Sequence, residues 1–147
     1  MRAVLTLAAL AALASAPTFA ATPDPAINPA MDARYTPAFQ QCLDSPGGQS
    51  TMGMVQCIGE ELKVQDKALN AAYRDLVGDM NARQKANLLK AQRAWIAFRD
   101  AECDLDASVA LGGSMHGMLV SDCRAAMTDE RVKALKALRT SLADFMR

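Results

Sequence analysis

Four cysteines, one histidine and a short acidic run are the residues of this chain that could do chemistry. Cys42, Cys57, Cys103 and Cys123 could hold zinc as thiolates or pair as disulfides. Zinc favours CxxC-type spacing or clustered histidines; these spacings are wide and His116 stands alone. Ser114 lies two residues from His116, and positions i and i+2 of a helix do not face each other, so no nucleophile–base pair is expected there. Glu60 and Glu61 are neighbours that point apart on a helix, unlike the facing carboxylates of a glycosidase. Asp100, Glu102, Asp104 and Asp106 alternate like part of a calcium loop, but the glycine at the sixth position and the closing glutamate are missing. The expectation is a protein with no catalytic residues, no metal and no cofactor. What remains is a surface. The stretch from Cys103 to Cys123 starts with Asp104 and Asp106, then passes through Gly112, Gly113, Ser114 and His116. These six residues are the partner-binding candidates, since carboxylates suit a basic partner and glycines let backbones approach closely.

The N-terminus decides how the cysteines read. Arg2 precedes an apolar run, Ala3 to Ala14, and "PTFA" ends in small residues. This pattern predicts a secretory signal peptide over 1–20, cleaved after about Ala20, and a periplasmic or secreted protein. The run is too short to span a membrane, and no cysteine follows it to carry a lipid, so no membrane anchor is expected after cleavage. An even set of cysteines in a small exported chain reads as two disulfides. Cys42–Cys57 with Cys103–Cys123 is favoured because both close short loops; Cys57–Cys103 with Cys42–Cys123 stays open.

The formal net charge is zero, which points to neither nucleic acid nor a membrane surface. The charges fall in blocks. Residues 81–99 carry five basic groups and no acidic one, while residues 100–130 carry seven acidic groups and one basic.

Residues 21–41 hold Pro23, Pro25, Pro29 and Pro37 and read as a flexible, irregular arm. Residues 42–147 read as the helical domain. Ile58, Leu62, Leu69, Tyr73, Leu76 and Met80 recur at helical spacing, and Gly78 suggests a stop. Asn81 and Gln84 form a capping box at the start of a second helix carrying Leu88, Leu89, Gln92, Trp95, Ile96, Arg99 and Cys103 on one side. A sharp turn between the two gives an antiparallel hairpin. If the turn centres near residue 80, Glu61 meets Arg99, Gln65 meets Trp95, and Asn70 meets Gln92. Ser114 caps a third helix whose Met115 and Met118, with Met127, read as core. Thr128 looks like another helix start, ahead of Leu135, Leu138, Leu142 and Phe145. The expected fold is an all-α bundle of three to four helices stapled by two disulfides.

"LNAAYRDL", "LLKAQRAWIAFRDAEC", "GGSM", a further cysteine and "MTDERVKAL" occur in that order. This set resembles the lysozyme-inhibitor LprI-like family of exported bacterial proteins. The matching residues include Asn70, Tyr73, Gln92, Arg93, Trp95, Arg99, Asp100, the Gly112–Ser114 corner and Thr128 to Arg131. The resemblance implies a helical, disulfide-bonded envelope domain that inhibits c-type lysozyme and protects peptidoglycan. The alternative is a structural or stress-related periplasmic module that binds another protein.

Overall fold

A computed structural model describes residues 34–145. The expected signal peptide and most of the proline-rich arm lie outside the described residues. Four α-helices follow in order: α1 (Pro37–Leu43), α2 (Thr51–Gly78), α3 (Ala82–Asp106) and α4 (His116–Phe145). A short 3-10 turn, Ala107–Ala110, precedes α4. There is no strand among the described residues. The disulfides are Cys42–Cys57 and Cys103–Cys123, the short-loop pairing.

Local chemistry explains each helix start. Asn81 Oδ1 accepts from the Gln84 backbone N–H at 3.0 Å, and Gln84 Oε1 accepts from the Asn81 N–H at 2.9 Å. That reciprocal box starts α3 immediately after the turn. Asn81→Ala is expected to cost about 1 kcal/mol, read as a shifted midpoint in urea denaturation with an unchanged slope. Ser50 caps α2 by accepting from Gly53 N–H at 3.0 Å. Thr36 caps α1, and Pro37 stands in its first turn. This corrects the reading of residues up to 41 as wholly irregular: a proline is an obstacle inside a helix, but at the first position its missing N–H is not needed.

The end of the chain is a second correction. Thr128 starts no helix; it lies within α4, fully buried. Its hydroxyl donates back to the Arg124 carbonyl at 2.6 Å, which lets threonine sit inside a helix without a stranded polar group. Ser114 does not cap the single long helix that results: it lies two residues before His116, and Met115 holds the cap position.

Contacts along α4 set its direction. Cys103 meets Cys123, Arg99 meets Thr128 and Gln92 meets Arg131, so α4 runs antiparallel to α3. Arg139 reaches Asp79 just past the end of α2 at 2.6 Å, so α4 runs alongside α2 in the same sense. The most extensive helix packing is α2 against α4, then α3 against α4. Leu69, Ala72 and Leu76 from α2, Leu88 from α3, and Val132 and Leu135 from α4 form the core.

This arrangement replaces the residue pairs expected from a two-helix seam. Glu61 does not meet Arg99; it binds Thr36 and Gln65. Gln65 reaches Glu61 and the Arg34 carbonyl, not Trp95. Gln92 binds Arg131, and Asn70 is exposed. The buried face of α2 is taken by α4, so α2 and α3 do not share a continuous seam. For the same reason α3 buries only Leu88, Gln92 and Cys103, while Leu89 and Ile96 are exposed. Leu138, Phe145 and Met115 are likewise exposed rather than core.

Candidate functional site

The segment closed by the second disulfide forms one end of the α3–α4 pair. Cys103 is fully buried in the last turns of α3 and is joined to Cys123 in the first turns of α4. Ala107, also fully buried, anchors the 3-10 turn. The chain then reverses through Gly112, whose φ of 79° lies in the left-handed region that side chains resist. Backbone bonds brace the corner: Leu111 N–H donates to the Ser108 carbonyl at 3.1 Å and Gly113 N–H to Ala110 at 2.9 Å. The corner is therefore a folded cap, held covalently below and by hydrogen bonds within.

The structure gathers the six expected contact residues on this cap. Asp104, Asp106, Gly112, Gly113 and Ser114 are exposed, and His116 is half-buried. The acidic residues do not act alike. Arg124 draws Asp100 to 3.3 Å and Asp104 to 3.4 Å. Asp106 forms no ion pair among the described residues, so its carboxylate is left for a partner. Ser114 and His116 are not hydrogen-bonded to each other, and no cluster of three or more His, Cys, Asp or Glu among the described residues could hold a metal ion.

Composition also concealed an apolar component. Leu105, Val109 and Leu111 are 66%, 87% and 77% exposed. Three large aliphatic side chains around one acidic turn make a sticky tip rather than a solvated loop end. The sequence does carry the signal, "DLDASVAL", but without a helical period that assigns those residues to a face.

A second cluster unites most of the motif residues. The Arg99 guanidinium is 5.3 Å from the Trp95 ring centroid and that of Arg131 is 5.6 Å from it. Arg99 also reaches Asp66 at 3.3 Å, Asp100 at 3.0 Å and the Thr128 hydroxyl at 3.0 Å, tying α2, α3 and α4 together. Arg131 donates from Nε to Gln92 Oε1 at 3.0 Å. Burial pushes the Arg131 guanidinium below its ordinary pKa range. Trp95 is half-buried against the core, as is Tyr73, while Arg93 is exposed. Elsewhere, the Tyr35 phenol donates to Asp122; burial and that bond push its pKa well above the ordinary range.

A family model described as lysozyme inhibitor LprI matches residues 42–135. The chain belongs to the LprI family. The LprI match spans both disulfides, the cap and the Trp95–Arg131 cluster, and it stops at Leu135 in the core. The chain is also 39% identical over 105 residues to a Rhizobium meliloti (strain 1021) protein named as uncharacterized protein R02472, covering 63% of this chain and 76% of that one. No solved structure matches. No helix among the described residues is long and apolar enough to cross a membrane.

Proposed function

We propose that this LprI-family chain is an exported, non-enzymatic binding protein that inhibits lysozyme by presenting the Cys103–Cys123 cap to the active-site cleft, protecting peptidoglycan. The observation that carries this reading is the cap itself. A fixed turn exposes Leu105, Val109 and Leu111 beside the unpaired Asp106. Apolar anchors ringed by polar groups are what a protein interface concentrates its affinity in, and a carboxylate steers the cap toward a basic enzyme. An inhibitor of this kind occludes a cleft and needs no chemistry.

The test is inhibition of c-type lysozyme by the purified, oxidised protein. Leu111→Asp and Val109→Asp are expected to weaken inhibition at least tenfold, about 1.4 kcal/mol or more, with the melting temperature held, because both side chains already face solvent. Absence of inhibition at micromolar concentration on c-, g- and i-type enzymes would sink the proposal. A specific envelope protein captured instead would support the interaction-module alternative.

A further inference from the structure

Beside the Trp95–Arg131 cluster lies an open cavity of about 530 Å³, within the range of small-molecule sites. Its lining is Arg34, Trp95, Ala126, Met127, Glu130, Arg131 and Ala134. None of these residues belongs to the 104–116 cap, although Met127 in the lining touches the sulfurs of the Cys103–Cys123 bond below it. From the placement of the two guanidiniums we infer that this cavity binds a carboxylate carrying an apolar group, the carboxylate held by Arg34 and Arg131 and the apolar group lying against Trp95, Ala126, Met127 and Ala134.

Arg34 Nε is buried, and among the described residues it has no hydrogen-bond partner and Arg34 forms no ion pair. Its backbone is fixed, since its carbonyl accepts from Gln65 Nε2 at 3.3 Å. Arg131 likewise forms no ion pair among the described residues; its Nε is used by Gln92, which leaves the terminal nitrogens free to face an anion. A half-buried guanidinium without a counter-charge is answered by a bidentate carboxylate. The depressed Arg131 pKa has the same origin in burial. The one acidic lining residue, Glu130, forms its ion pair away from the arginines, 3.1 Å from the Lys133 ammonium that it shares with Asp129 at 2.7 Å. The remaining walls are aliphatic, thioether and indole, which suit an apolar body better than a hydrated phosphate.

Trp95 is the sole tryptophan, so its fluorescence reports on the cavity directly. Oxidised protein is titrated with N-acetylphenylalanine, with its uncharged amide, and with inorganic phosphate, by fluorescence and by calorimetry in parallel. The acid is expected to bind saturably, with the amide and phosphate each about tenfold weaker or more. Arg34→Gln is expected to weaken the acid by about tenfold at an unchanged melting temperature, because the Arg34 side chain makes no ion pair or hydrogen bond to another described residue. Equal binding of acid and amide, tighter binding of phosphate, no saturable signal by either method, or full affinity in Arg34→Gln would each overturn the assignment.

Discussion

Replacing Cys103 and Cys123 together with alanine is expected to destabilise the fold by about 3 kcal/mol and lower the melting temperature by on the order of 10 °C. The chain-entropy contribution comes from closing a loop whose ends are 20 residues apart. Packing compounds it here. Along α3 the buried residues are Leu88 and Gln92 in its first half and then only Cys103. Beyond Arg99, the disulfide links α3 to the rest of the bundle together with the ion pairs of Asp100 and Asp104 with Arg124 and buried Ala107. Alanine rather than serine is the right replacement, since a hydroxyl at the fully buried Cys103 would add an unsatisfied polar group. The loss should be local first: hydrogen exchange should accelerate over residues 100–115 while Leu76 and Leu135 in the core stay protected. Because the cap carries the proposed interface, lysozyme inhibition should fall further than stability alone accounts for. Unchanged exchange over residues 100–115 would falsify the view that the disulfide fixes the cap.

Much of this fold was legible because long helices announce themselves. The period of Ile58, Leu69 and Leu76 marked α2, and the Asn81–Gln84 pair marked the turn to within a residue. Loop length favoured the disulfide pairing that the structure has, while the helical register kept Cys57–Cys103 with Cys42–Cys123 open. Three things were hidden, each for a physical reason. Helix α1 was masked by proline composition, although Pro37 at a first position favours a helix. Thr128 read as a cap because capping and mid-helix back-bonding use the same side-chain type, and only burial tells them apart. The partners of Glu61, Gln92 and Arg99 were misassigned because helix periodicity says which residues share a face, not which helix lies opposite that face. The site divided in the same way. Its acidic and glycine residues were visible from type alone. The exposure of Leu105, Val109 and Leu111, and the meeting of Trp95 with Arg99 and Arg131, depend on how α4 lies against α3.

Glu61 offers the sharper test of that packing, and Glu61→Leu is expected to cost about 2–4 kcal/mol, because three donors lose their acceptor in a nearly dry site. Glu61 is 2% exposed. Its Oε1 accepts from the Thr36 backbone N–H at 3.1 Å and from Gln65 Nε2 at 2.7 Å, and its Oε2 accepts from the Thr36 hydroxyl at 2.5 Å. It forms no ion pair among the described residues; hydrogen bonds alone stabilise its buried oxygens. Since Thr36 is also the cap of α1, the carboxylate links the core of α2 to the start of the preceding helix. Glu61→Gln should be milder, because the amide keeps the shape and one acceptor oxygen but turns a donor toward Thr36 or Gln65. In both variants hydrogen exchange should rise over residues 36–43, where this site and the Cys42–Cys57 bond tie α1 to α2. A double-mutant cycle between Glu61 and Arg99 then separates the two packings. Were the two helices to meet in a continuous seam, the pair would couple by several kcal/mol as a buried salt bridge. With α4 placed against α2 and Arg99 engaged by Asp66, Asp100 and Thr128, the coupling should stay below about 0.5 kcal/mol, the range of residues without a shared partner.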